Sequence, residues 1–257
     1  MFRTAFVVAA LSVSLLWVGA ARAQTPWGGD DTGFIPPPAA AKCEAGAAKA
    51  WGKLIACISK CHTSRAIGKL ADDTSEDSCE KTLVGKSCVA KFAASIAKLT
   101  GCPSCINGTT MANLAGLTEN LLDGNNSMIY CDTSSGTPFG GDDTGDIPPP
   151  GSAIEKCEVQ KIAKAAANLA ACQWKCHKKR ASGTLADETA EEGCELPVGA
   201  SAASCTHTFF RTVIPHSAGC ASCTAGNRQP LANLIHSMID GNNGTVYCAS
   251  PSGAFVR

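Results

Sequence analysis

Cys57-Ile58-Ser59-Lys60-Cys61-His62 and Cys172-Gln173-Trp174-Lys175-Cys176-His177 each set two cysteines and a histidine within six residues. Two cysteines four apart on a helix share one face, so both can cross-link to a single neighbouring segment. A cysteine pair followed at once by histidine is also the pattern of covalent haem attachment, here one residue longer than usual. On that alternative, Cys57, Cys61 and His62 with Cys172, Cys176 and His177 hold two c-type haems in an electron carrier. Haem iron generally takes a second axial ligand, His or Met, in an apolar pocket. The first copy offers Met111 or Met128, but Thr245 stands opposite Met128 and Leu121 opposite Met238. With no shared distal ligand, cross-linking is the preferred reading, and His62 and His177 are expected as exposed helix-end residues near the negative pole of the dipole.

Other clusters allow other chemistry. Cys102-Pro103-Ser104-Cys105 and Cys220-Ala221-Ser222-Cys223 have the spacing of a redox dithiol, a thiol-disulfide alternative that wants a strand-helix-strand setting the sequence lacks. Cys57, Cys61, Cys102 and Cys105 are acceptable zinc ligands as thiolates. The pairs Asp30-Asp31 and Asp142-Asp143, and the runs Asp123-Gly124-Asn125-Asn126 and Asp240-Gly241-Asn242-Asn243, carry the oxygens that calcium prefers. They match no EF-hand loop, and turn formation is their commoner use. No paired acid and base, nucleophile with base, or phosphate loop stands out. The reading therefore assigns no catalytic, cofactor or metal residue.

The elements that position these residues begin after an export signal. Arg3, the apolar stretch from Ala5 to Val18, and Ala21-Arg22-Ala23 make residues 1–23 a signal peptide. The apolar stretch is too short to span a bilayer, and no transmembrane segment is expected after cleavage. Sixteen cysteines, even in number, indicate a disulfide framework in an oxidising compartment, so the protein is expected to be secreted or periplasmic. Lys and Arg total 22, as do Asp and Glu, which gives no electrostatic case for nucleic acid or an anionic membrane.

The chain repeats itself. Gly28-Gly29-Asp30-Asp31-Thr32-Gly33 returns as Gly140-Gly141-Asp142-Asp143-Thr144-Gly145. Cys43, Cys57, Cys61, Cys79, Cys88, Cys102, Cys105 and Cys131 return as Cys157, Cys172, Cys176, Cys194, Cys205, Cys220, Cys223 and Cys248. Such self-similarity marks a duplicated unit: repeat 1 over 24–131, a Gly/Asp/Pro-rich linker over 132–150, repeat 2 over 151–248 and a tail over 249–257. Ala/Lys/Leu-rich stretches predict long helices over 40–67 and 153–181. Further helices are expected to start near Asp72-Asp73-Thr74 and Asp187-Glu188-Thr189 and to cover 86–98 and 113–122. Val, Ile, Tyr and Trp are too sparse for a sizeable sheet. The fold class expected is all-α: two tandem disulfide-stapled helical-hairpin domains of about 105–110 residues each.

Ala-rich helices bury little area, and cross-links compensate at roughly 2–4 kcal/mol each. A nested hairpin is the simplest wiring: Cys61 to Cys79, Cys57 to Cys88, Cys43 to Cys102, and Cys105 to Cys131, all within one repeat. Repeat 2 is one residue longer between its first two cysteines. That surplus would turn a rigid helix by about 100°, so Cys43 and Cys157 are expected at or before the helix start. A second insertion, containing Pro197 and Gly199, marks a loop.

The Asp-Asp-Thr-Gly-Phe-Ile-Pro-Pro opening, Lys60-Cys61-His62, the Gly-Cys-Pro-x-Cys step and the closing Asp-Gly-Asn-Asn with Tyr-Cys resemble a group of uncharacterised, secreted, cysteine-rich helical proteins of bacteria. The resemblance covers nearly all of the chain after residue 23 and implies export and fold, with no activity attached. The function expected is a non-catalytic binding or structural protein, acting on an unidentified protein or cell-envelope ligand.

Overall fold

The computed structural model describes residues 26–82, 85–133, 136–196, 204–214 and 219–249. The expected signal peptide, the insertion with Pro197 and Gly199, and all of the tail but Ala249 lie outside them. The chain is mostly helical, and its two repeats build the same elements twice. Repeat 1 has hairpin β1 (Pro26–Gly28) and β2 (Asp31–Phe34), then α1 (Pro38–Ala66), α2 (Asp73–Glu80), α3 (Cys88–Ile96) and α4 (Gly108–Gly124). Repeat 2 has hairpin β3 (Thr137–Gly140) and β4 (Asp143–Ile147), then α5 (Ala153–Cys157), a π turn (Glu158–Ala163), α6 (Lys164–Ala181), α7 (Glu188–Glu195), α8 (Cys205–Val213) and α9 (Ser222–Val246). No described helix is long and apolar enough to cross a membrane.

Local chemistry fixes the boundaries. Pro38 sits in the first turn of α1, where its missing N–H costs nothing. Asp72 and Asp187 cap α2 and α7 by accepting the N–H groups of Ser75 and Ala190 at 2.8 and 2.9 Å, and Ser87, Asn107 and Ser204 cap α3, α4 and α8. Along α1, Ala47, Trp51, Leu54, Ile58 and Cys61 form the buried stripe. This stripe faces α6 as well as its own repeat, and one apolar core runs through both halves.

Three expectations change. The surplus residue of repeat 2 does not push Cys43 ahead of its helix, for Cys43 lies buried inside α1. The π turn between Cys157 and α6 absorbs it, since one wide turn resets the helical phase. Second, the 132–150 stretch is more than a linker. Its 137–147 portion is a folded hairpin, as is the Gly-Gly-Asp-Asp turn segment near the start. Third, the bonds do not all stay within a repeat. Cys43–Cys102, Cys57–Cys88 and Cys61–Cys79 pair as the nested wiring has them, and Cys157–Cys220, Cys172–Cys205 and Cys176–Cys194 repeat the pattern. Cys105 joins Cys248 and Cys131 joins Cys223, so two bonds cross between the halves. The close of each repeat is carried onto the other, where Glu44 of α1 accepts the N–H groups of Cys248 and Ala249 at 2.9 and 2.7 Å. Glu158 receives Cys131 N–H at 3.2 Å in the same way.

Candidate metal centre

The hairpins are exchanged too, and this exchange builds the site. β1–β2 opens repeat 1 but packs on α9 of repeat 2, while β3–β4 packs beside the end of α4. Thr32 Oγ1 donates to the Asp240 carbonyl at 3.1 Å and accepts Gly244 N–H at 2.8 Å. Thr144 makes the matching bonds to the Asp123 carbonyl and Ser127 N–H, both at 3.1 Å. Gly33 and Gly145, at φ 97° and 94°, press so close to Tyr247 and Tyr130 that a Cβ at either would collide with the tyrosine carbonyl. The Asp-Asp-Thr-Gly motif thus docks a hairpin onto a helix end with its second Asp pointing inward.

Two helices and a hairpin now converge on the helix that carries each histidine. His62 and His177 are 4% and 1% exposed, which corrects their expected place at an exposed helix end. The stripe running through Ile55 and Ile58 carries on to His62, one turn further. His62 Nε2 lies 3.0 Å from Asp123 Oδ1, 3.2 Å from Glu80 Oε1, 3.3 Å from Asp143 Oδ1 and 3.4 Å from Glu76 Oε1. His177 Nε2 lies 3.0 Å from Glu195 Oε1, 3.2 Å from Asp240 Oδ1, 3.3 Å from Glu191 Oε1 and 3.4 Å from Asp31 Oδ1. The five side chains are identical between the repeats. The two glutamates of each cluster come from one face of α2 or α7 at i, i+4. Asp123 and Asp240 come from Asp-Gly-Asn-Asn, and Asp143 and Asp31 come from the hairpins.

The protonation pattern at His177 can be read from its neighbour. Asn243 Nδ2 donates to the Thr32 carbonyl at 3.0 Å, so its Oδ1 is the atom 2.9 Å from His177 Nδ1, and Nδ1 must carry the hydrogen. The other nitrogen, Nε2, therefore turns toward four carboxylate oxygens, yet it has no aligned hydrogen bond to any of them. Oδ1 of Asp31 and Asp240 and Oε1 of Glu191 and Glu195 are likewise buried without a hydrogen-bond partner. In repeat 1, Glu76 Oε1, Glu80 Oε1 and Asp143 Oδ1 share that condition. Buried like charges at this separation repel, and several kcal/mol per unpaired ion stands against them. Burial accordingly pushes Asp31 up to about 10, Asp143 to about 9 and Glu80 to about 12, with neighbouring carboxylates adding to the rise. Burial alone would pull His177 down, but the carboxylates around it hold it well above its usual range. An imidazole nitrogen and four converging carboxylate oxygens are the donor set of a cation, which on binding would displace the protons these groups hold.

The cysteine-based alternatives meet a different structure. Cys57, Cys61, Cys172 and Cys176 are all in disulfides, which leaves no thiol for haem attachment beside His62 or His177. Cys102 and Cys105 bond to separate partners rather than to each other, as do Cys220 and Cys223, so neither step is a dithiol. The zinc set of Cys57, Cys61, Cys102 and Cys105 is consumed in the same way. Of the Asp residues considered for calcium, Asp31, Asp123, Asp143 and Asp240 do meet at shared sites, together with an imidazole. The glutamates were missed. The sequence reading assigns Glu76 and Glu80 no role, although their match to Glu191 and Glu195 could have marked them.

The fold and site define a helical, disulfide-stapled protein with a histidine–carboxylate cluster in each half. No known protein family, curated protein or solved structure matches the chain.

Proposed function

We propose that this is an exported protein that binds divalent transition cations at two internal sites, centred on His62 and His177. The reading keeps a non-catalytic binding role and puts a metal ion where an unidentified ligand stood. One observation carries it: in both halves a buried imidazole nitrogen faces four carboxylate oxygens within 3.4 Å. Carboxylates favour hard cations, whereas imidazole favours transition metals over calcium and magnesium. Mn2+ and Fe2+ satisfy both. Paired cysteines support an oxidising compartment and export.

Binding would displace the protons held by the raised carboxyls, so uptake releases protons and strengthens as pH rises. It also ties each exchanged hairpin to its host repeat, since Asp31 and Asp143 would become ligands. The test is direct metal analysis of protein stripped with chelator and dialysed against Mn2+. Each half is expected to retain Mn2+, with none retained by the His62→Ala/His177→Ala double variant. Wild-type protein that retains no Mn2+, Fe2+ or Zn2+ would end the proposal.

A further inference from the structure

Resting on that reading, we infer that repeat 2 holds a second cation beside the first, making a carboxylate-bridged pair, while repeat 1 holds one cation and uses Lys81 in place of the other. In repeat 1 an ammonium group stands outside Asp123. Lys81 Nζ lies 2.8 Å from Glu119 Oε1, 2.6 Å from Asp142 Oδ2 and 3.7 Å from Asp123 Oδ2. It is a fixed positive charge wedged against the far side of a ligand. The residue at the Lys81 position in repeat 2 is Leu196, and the one at the Glu119 position is His236. The four inner carboxylates remain, but an imidazole, which can give up its proton to become a ligand, stands where repeat 1 has a permanent ammonium charge.

A second donor set stands in that place. His236 Nδ1 is 2.7 Å from Asp240 Oδ2 and 3.4 Å from Glu195 Oε2. These are the outer oxygens of the two carboxylates whose inner oxygens face His177. Asp240 and Glu195 thus each present one oxygen to each imidazole, as a bridging carboxylate does. Asp240 Oδ2 is buried with no hydrogen-bond partner, and His236 Nδ1 approaches it without the alignment of a hydrogen bond. On the other side of the ring, Nε2 lies 3.3 Å from Asp30 Oδ2. A carboxylate there would hold Nε2–H and leave Nδ1 free to ligate, the usual outer support of a metal-bound histidine.

Charge and composition agree. Four carboxylates against one divalent ion leave two negative charges. Two divalent ions in repeat 2 would cancel the charge of the inner four. Four carboxylates and two imidazoles are also the ligand set of dinuclear centres in helical bundles. His236 is 14% and Asp30 59% exposed on the side chain, so the second position opens toward solvent while the first is closed.

Mn2+ alone is the probe, read by stoichiometry and by electron paramagnetic resonance on the full chain. Wild-type protein is expected to take three Mn2+ per chain and to show the exchange-coupled signal of a close pair. His236→Ala and Leu196→Lys should each take two and lose the coupled signal. Leu196→Lys copies what repeat 1 already accommodates, which guards against a trivial folding failure. Wild-type uptake of two Mn2+ with only isolated-ion signals would overturn the pair and leave the proposed function standing. Uptake of none would overturn both.

Discussion

Beside Asp123 an ammonium group fills the space outside the His62 cluster, whereas beside Asp240 the same space faces the ring of His236. The two clusters otherwise share their five inner side chains and differ in their surroundings. Trp27 lies against His177 and donates its indole N–H to Glu191 at 3.1 Å, where the other half has Phe139, edge-on to His62. Asn243 orients His177, whereas the matching Asn126 is buried with neither amide atom hydrogen-bonded. The two halves share the donors and differ in what surrounds them. The difference suggests that the inner five residues set the ability to bind and the outer ones set how tightly and how many.

The largest effect expected comes from the imidazoles. His177→Ala should weaken Mn2+ binding in repeat 2 by about 100-fold or more while leaving the His62 site intact, and His62→Ala should do the reverse, both measured by calorimetric titration. If either substitution abolished binding in both halves, the sites would not be independent. Next in size is the orienting amide. Asn243→Ala should cost repeat 2 about 10- to 100-fold in affinity, while Asn126→Ala should barely change repeat 1; equal losses would erase the contrast drawn here. A smaller effect attends Trp27. Its fluorescence should be quenched as repeat 2 fills and be insensitive to His62→Ala. Trp27→Phe, which copies the Phe139 environment, should cost stability by about 1–3 kcal/mol through the lost bond to a buried carboxylate.

The smallest effect lies away from the metal. Burial raises Glu44 and Glu158 from 4.5 to about 7, partly opposed by the N–H groups each accepts. Between those values the folded chain holds more protons than the unfolded one, so stability should fall as pH rises from about 4.5 to 7. Urea titration of chelator-stripped Glu44→Gln, which keeps an acceptor oxygen without the charge, should show a shallower decline. A slope equal to wild type's would remove Glu44 from the account.

Much of this was legible in the sequence, but in pieces. The duplication, the helices, their Asp72 and Asp187 caps, and three of four disulfides in the first repeat follow from pattern and spacing. So do the motifs themselves: Lys-Cys-His, Asp-Asp-Thr-Gly and Asp-Gly-Asn-Asn each supply a donor. Assembly was not legible. Nothing local tells a hairpin which copy to dock on, because the two docking ends have nearly the same sequence. The same near-identity lets Cys105 choose between Cys131 and Cys248. His62 drew attention through the cysteines beside it, although its phase with Ile55 and Ile58 already placed it on the buried face. Glu76 and Glu80 stood out less, because acidic residues on a short polar helix are ordinarily solvated, and nothing in α2 alone shows that this face is buried against His62.

Anomalous diffraction from crystals grown with Mn2+ and recorded at the manganese edge tests the cation directly. Peaks are expected within bonding distance of Nε2 of both His62 and His177, each surrounded by its four carboxylates. Density that shows these carboxylates folded around the imidazoles with no anomalous peak in either half would contradict a metal-binding centre.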